Sequence, residues 1–165
     1  MNILFIGGTG NISTDCAALL HERGHSVAML TRGTRPVPEQ YRAIVADHAD
    51  IDAVRSAVGN DEFDAVVNFI GYEVADIEID ADVFRGRTGQ YVQISTTAVY
   101  AKPHDVLPLN EASSVGNQFS EYGQKKLACE RFLWERCHGL DFPVTIVRPS
   151  HTYSCRWVPN PVSST

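Results

Sequence analysis

The chain has 165 residues, 44% of them apolar and 21% charged, which suits one globular domain and excludes a disordered, collagen-like or low-complexity chain. Fourteen Lys and Arg against twenty Asp and Glu leave a formal net charge of −6, which counts against a sequence-independent nucleic-acid binder because such proteins rest on a basic excess. No apolar run approaches the roughly 20 residues of a membrane span. Met1-Asn2-Ile3-Leu4-Phe5-Ile6-Gly7 lacks the basic start of a signal peptide and runs straight into a glycine turn. The cysteines Cys16, Cys129, Cys137 and Cys155 show neither CxxC nor His-pair spacing. That predicts reduced thiols in a cytoplasmic protein and no metal site.

In chain order, apolar runs alternate with helical segments. Ile3 to Ile6 is a short buried strand. Ile12, Cys16, Leu19 and Leu20 recur at helical spacing, which predicts a helix to Arg23 that Gly24 stops. Val27 to Leu30 is the second strand, and Thr31 to Gln40, with Gly33, Pro36 and Pro38, is a loop. Ala43 to Ala46 is the third strand. Asp50 caps a short helix whose face is Ile51, Val54 and Val58 and whose end is Gly59. Asp64 to Ile70 is the fourth strand, and Val74 to Phe84 is a helix. The acidic clusters Asp61-Glu62 and Asp76 to Asp82 are expected on solvated faces. Tyr91 to Ser95 is the fifth strand, Ala101 to Asn117 a polar loop, Ser120 to His138 the longest helix, and Val144 to Val147 the sixth strand, which Pro149 ends.

Strands that read as continuous apolar runs, with helices between them, indicate an α/β protein whose parallel sheet is covered on both faces. Right-handed crossovers favour the doubly wound order 3-2-1-4-5-6, with a ligand crevice beyond the carboxyl ends of strands one and four. Residues 1–154 are expected to form that domain and residues 155–165 an irregular tail.

Three clusters fall at such strand ends. The first is Gly7-Gly8-Thr9-Gly10-Asn11-Ile12-Ser13, which follows a strand and opens a helix. Gly7 permits the turn, and Gly10 lets the backbone approach a pyrophosphate held at the helix N-terminus. Ser13 stands where a third glycine is common and is small enough for close packing. The second is Tyr122-Gly123-Gln124-Lys125-Lys126. Helical spacing puts Tyr122 and Lys126 on one face. An ammonium beside the phenol, with a positive nicotinamide ring, lowers its pKa, so Tyr122 would exchange a proton with a substrate hydroxyl. Alone, such a pair is also an ordinary helix feature. The third is Ser95-Thr96-Thr97 near Tyr100, which reads equally as site hydroxyls or as capping of a strand-end turn.

In this order and spacing, the three clusters resemble the extended short-chain dehydrogenases/reductases, the NAD-dependent epimerase/dehydratase family. Ala46-Asp47, Asn68-Phe69-Ile70-Gly71 and Val147-Arg148-Pro149-Ser150 add to the likeness, which runs from Met1 to about Ser154. Its details are similar to an atypical subgroup to which chloroplast stem-loop RNA-binding proteins are related. The resemblance implies a Rossmann fold and hydride transfer on a nucleotide sugar or related hydroxyl-bearing substrate. It implies that Thr96 orients the substrate hydroxyl, Tyr122 is the acid/base, and Lys126 both tunes Tyr122 and holds the nicotinamide ribose. It places the dinucleotide on Gly7, Thr9, Gly10, Asn11 and Ile12, its adenine near Asp47 and His48, its middle on Phe69, Ile70 and Gly71, and its nicotinamide beside Pro149, Ser150 and His151.

Three departures from the family pattern shape the expectation. The carboxylate that binds the ribose 2′-hydroxyl in NAD enzymes is replaced by Thr31-Arg32. Arg32 therefore joins the cofactor set, and NADP is favoured over NAD. Thr97-Ala98 replaces the Asp-Glu pair of sugar dehydratases, which argues against dehydration. The substrate domain of this branch is expected to be absent or truncated, leaving the edge at Val144 to Val147 open for homo-oligomerisation. A dinucleotide-binding module without catalysis and an RNA-binding relative are the rival readings.

Overall fold

The computed structural model describes residues 1–137 and 142–154; the expectations for His138, Cys155 and the tail lie outside them. Six parallel strands form one sheet in the order β3-β2-β1-β4-β5-β6. They are β1 (Asn2–Ile6), β2 (Ser26–Thr31), β3 (Arg42–Val45), β4 (Ala65–Asn68), β5 (Tyr91–Ile94) and β6 (Val144–Val147). The helices are α1 (Asn11–Glu22), α2 (Ile51–Val58), α3 (Val74–Phe84) and α4 (Glu121–Phe132).

The apolar runs are continuous because alternate residues serve two cores. Leu4, Ile6, Ala28, Leu30 and Val66 point to one face and pack with Val54 of α2, Ile77 and Phe84 of α3, and Cys129 of α4. Ile3, Phe5, Val27 and Met29 point to the other face and pack with Ala17 of α1. A strand with period-two side chains that is buried on both sides cannot carry a polar face. Among the described residues, Cys16 and Cys129 are free thiols, and no helix is long and apolar enough to cross a membrane.

Local chemistry sets the helix ends. The Asp50 carboxylate accepts from the Asp52 and Ala53 amides at 3.1 and 3.0 Å, and Gly59 ends α2 with φ +57°. The Ser120 hydroxyl accepts from the Gly123 amide at 3.0 Å and caps α4. The helix predicted from Ser120 stops earlier than its apolar spacing suggested: α4 ends at Phe132, and Leu133–Cys137 continue as a π-helical turn.

One expectation for the acidic stretch is corrected. Asp80 is not on a solvated face; its side chain is fully buried on α3. The helical spacing of the buried Ile77, Ala81 and Phe84 carries Asp80 inward with them. There its carboxylate accepts from Asn68 Nδ2 and the Tyr91 hydroxyl, each at 2.5 Å, and pairs with His48 Nε2 at 2.7 Å.

Candidate active site

Every parallel strand ends on the same side of the sheet, and the turns there enclose a cleft of about 330 Å3. Its floor is the β1–α1 turn. Gly7 has φ +82°, and a Cβ there would lie 2.4 Å from Ile70 Cγ2, so the turn packs against the one after β4 with no room for a side chain. Ser13 is buried and its hydroxyl ties the turn together, accepting from the Gly10 amide at 2.9 Å and donating to the Gly7 carbonyl at 3.1 Å. The first turn of α1 carries no acidic side chain. Its free N–H groups and the positive end of its dipole face the cleft, which suits a phosphate. These features fit a dinucleotide.

The opposite wall comes from β4, β5, α4 and the segment after β6. Asn68, the last residue of β4, is fully buried. Its Oδ1 accepts from the Ile70 and Gly71 amides at 2.7 and 2.6 Å. The Gly71 carbonyl then accepts from Lys126 Nζ at 2.7 Å and Gln93 Nε2 at 3.0 Å. After β5, the Thr96 hydroxyl accepts from the Ala98 amide at 3.1 Å and heads a short 3-10 turn, Thr97–Val99. Beside it the Ser95 hydroxyl donates to Glu130 of α4, and Glu130 is bridged by Arg148 Nη2 at 2.6 Å and Nε at 3.1 Å. The guanidinium of Arg148 also lies 5.0 Å from the centre of the Tyr100 ring. This partly buried ion pair ties the ends of β5 and β6 to α4, and so holds Thr96 relative to Tyr122.

Tyr122 and Lys126 both line the cleft, as their spacing predicts, but the ammonium points elsewhere than at the phenol. Lys126 Nζ is bonded to Gly71 and sits 5.2 Å from the centre of the Tyr72 ring. Burial lowers Lys126 to about 8, against partial support from nearby Cys129, Glu130 and Asp76. Tyr122, half-exposed, is held above its ordinary value of 10 by partial burial and by the neighbouring Tyr72. The expected lowering of the phenol by Lys126 is therefore corrected for the protein by itself: the ammonium is held at the Gly71 carbonyl, and burial and Tyr72 raise the phenol instead.

Gly7, Gly10, Asn11, Ile12, Phe69, Ile70, Thr96, Pro149 and Ser150 also line the cleft. Thr9 does not, and its carbonyl accepts from Arg35 Nη1 at 3.4 Å. Arg32 and Asp47 are exposed beyond the ends of β2 and β3. Gly71 is buried behind the wall. His151 is exposed and outside the lining, where Thr152 stands instead. His48 is corrected: its ring is buried against Asp80 rather than turned toward a ligand. Burial pushes His48 down, but the hydrogen bond and charge of Asp80, with Asp76 and Asp47 behind it, leave it above 6.5. The sequence reading passed over Tyr72, whose ring lines the cleft 6.2 Å from that of Tyr122. Its place directly after Gly71 was the only signal.

Residues 3–164 match the NAD dependent epimerase/dehydratase family. Two curated relatives are the 2′-dehydrokanamycin reductase of Streptomyces kanamyceticus and the chloroplast stem-loop binding protein of 41 kDa b of Arabidopsis thaliana. The first is 31% identical over 132 residues, covering 79% of this chain and 37% of the reductase. The second is 28% identical over 166 residues, covering 92% of this chain and 42% of that protein. The chain thus spans less than half the length of these relatives. Among solved structures, UDP-glucose 4-epimerase from Bifidobacterium longum, in complex with NAD+ and UDP, superposes with a TM-score of 0.76 at 18% identity. The match covers 90% of this chain and 52% of the epimerase, and it shows a shared fold.

Proposed function

The chain belongs to the NAD dependent epimerase/dehydratase family, and from that premise we propose that residues 1–154 bind NADP(H) or NAD(H) and use Tyr122 as acid/base in hydride transfer at a carbinol carbon. The observation that carries the reading is that one cleft gathers the glycine turn, Thr96, Tyr122 and Lys126. The first turn of α1 would hold the pyrophosphate, and Lys126 the ribose beside the nicotinamide. When bound, the nicotinamide supplies or accepts the hydride.

The chain's own groups supply the rest. A lone pair of the Thr96 hydroxyl is occupied by the Ala98 amide, which leaves its proton to donate to a substrate oxygen. Tyr122, raised above 10, is a phenol at neutral pH. It is therefore set to protonate a ketone oxygen in the reductive direction, and microscopic reversibility makes it the base for oxidation. The substrate class we favour is a nucleotide sugar or a related hydroxyl-bearing compound. The UDP in the superposed epimerase supports it.

Arg32 is exposed where an NAD enzyme places a carboxylate, and Arg35 leans on the Thr9 carbonyl of the glycine turn. Two guanidinium groups at that edge favour a 2′-phosphate, so NADP(H) is the preferred cofactor. β6 is an edge strand among the described residues, and Val147 and Trp134 are exposed near it. That edge supports homo-oligomerisation, which light scattering tests. The Arabidopsis relative is named a stem-loop binding protein, which favours a nucleic-acid ligand, but the net charge of −6 weighs against it.

The test is titration with NADPH and NADH, followed by a screen for dinucleotide-linked turnover of sugar nucleotides. Tyr122→Phe should cut any turnover by roughly 10²–10⁴-fold while leaving dinucleotide affinity nearly unchanged. A variant that retains more than about a tenth of the rate removes Tyr122 from the acid/base role. Dinucleotide binding without any turnover favours the non-catalytic module.

A further inference from the structure

Tyr72 stands in the cleft wall in contact with both Tyr122 and Lys126, and no motif of the sequence singled it out. The Lys126 ammonium has three N–H bonds to place. One goes to the Gly71 carbonyl at 2.7 Å, and the Tyr72 ring covers another side, with its centre 5.2 Å from Nζ. The remaining N–H is left for whatever enters the cleft. The same ring meets that of Tyr122 at a centroid distance of 6.2 Å and an interplanar angle of 51°.

Tyr72 is half-exposed, yet its backbone is firmly held. Asp76 Oδ2 accepts from the Tyr72 and Glu73 amides at 2.9 and 3.0 Å. The preceding Gly71 is fixed by Asn68 Oδ1, and Asp80 holds the Asn68 amide in that orientation by accepting from its Nδ2. A Cβ on Gly71 would lie 2.5 Å from Ile77 Cδ1 and 3.0 Å from Asn68 Nδ2, so the turn packs here with no room for a side chain. A buried carboxylate, an amide and a glycine thus present one aromatic ring to the lysine.

We propose that Tyr72 is a positioning residue: its ring, against Lys126 and Tyr122, directs the lysine's free N–H into the cleft. This rests on the reading that Lys126 holds the dinucleotide. The ring's attraction for an ammonium comes from its quadrupole, so the hydroxyl is dispensable and an aliphatic side chain is no substitute.

The experiment is NADPH titration of wild type, Tyr72→Phe, Tyr72→Leu, Lys126→Met and the Tyr72→Leu/Lys126→Met double variant. Because Tyr72 is exposed, its variants should fold. Tyr72→Phe should bind as wild type does, and Tyr72→Leu about fivefold more weakly. With Lys126→Met already present, Tyr72→Leu should cost nothing more, since coupled residues are non-additive. Wild-type affinity in Tyr72→Leu, an equal loss in the Lys126→Met background, or a Tyr72→Phe as weak as Tyr72→Leu would each overturn the proposal. Full affinity in Lys126→Met defeats the cofactor reading instead. The proposal then still stands or falls on the NMR titration of the Lys126 side chain without ligand. Its midpoint should move in Tyr72→Leu and stay in place in Tyr72→Phe; an unmoved midpoint in Tyr72→Leu overturns it.

Discussion

Gly123 lies inside α4 between Tyr122 and Lys126, and replacing it by Ala sets two effects against each other. Helix propensity alone predicts stabilisation, because a glycine in a helix interior costs roughly 0.5–1 kcal/mol relative to alanine. The packing predicts the opposite. A Cβ on Gly123 would lie 2.3 Å from the Ala98 carbonyl oxygen and 2.9 Å from its carbon. That oxygen belongs to backbone and is held by Asn117 Nδ2 at 3.0 Å, so it cannot swing aside. The helix would have to retreat by most of an ångström. Such overpacking costs about 1–3 kcal/mol, and a contact this short with held backbone belongs to the upper half of that range, so after the propensity gain a net loss of about 1–2.5 kcal/mol remains. For a chain of this size that is a fall in Tm of roughly 2–10 °C. The retreat also moves Tyr122 and Lys126 away from Thr96, and a displacement near 1 Å costs about 10²-fold in a positioned reaction. Thermal denaturation checks the first number and any dinucleotide-linked rate the second. A Gly123→Ala protein at least as stable as wild type would refute the close approach of α4 to the Thr97–Val99 turn.

Three further outcomes are expected. The Lys126 ammonium is the form that attracts an anionic dinucleotide, and in the free protein it is lost as pH rises through about 8. NADPH affinity should therefore be full below that value and about tenfold weaker at pH 9 than at pH 7, with no such dependence in Lys126→Met; isothermal titration at the two pH values checks this. Asp80→Leu would leave His48 and Asn68 without their buried acceptor and Tyr91 with only Gln93 Oε1 at 3.2 Å, so it should lose about 3–5 kcal/mol in urea unfolding. Asp80→Asn should lose less, because the other His48 tautomer can accept from the new amide. Arg32→Ala should weaken NADPH more than NADH by roughly tenfold; equal loss for both would show that Arg32 does not face the 2′-phosphate.

The sheet was legible because its central strands β1, β2 and β4 are apolar on both faces and each of α1 to α3 is bounded by its own punctuation. Val74 and Phe84, the ends of α3, and the Asp50 cap of α2 coincide with what spacing and capping predict. The strand order agrees with the doubly wound order that right-handed crossovers and the glycine turn after β1 favoured. The premature end of α4 was not legible, since Leu133 is buried and apolar whether the turn beyond Phe132 is α or π. Asp80 was misread for a reason the sequence contained. It is three residues after Ile77 and four before Phe84, so it shares their buried face, and composition was given more weight than phase. The resemblance placed Asp47 and His48 together in the turn near the adenine; in that turn Asp47 is exposed, while the His48 ring is drawn inward by the buried Asp80 carboxylate, which is far away in sequence. The pairing of Tyr122 with Lys126 on one face was readable from i,i+4 spacing. The direction of the ammonium was not, because the conformation of the Gly71-Tyr72 turn sets it and Asn68 and Asp80 hold that turn from the interior.

Amide NMR during addition of NADPH to the wild-type chain tests most directly whether a dinucleotide lies across the cleft. The account predicts saturable shifts at one equivalent for Gly10, Asn11 and Ile12 at the start of α1. Ile70 to Tyr72 and the residues around Thr96 and Lys126 should move at the same concentration. Unmoved Gly10 to Ile12 amides at saturating NADPH, or shifts confined to residues outside the cleft, would contradict it.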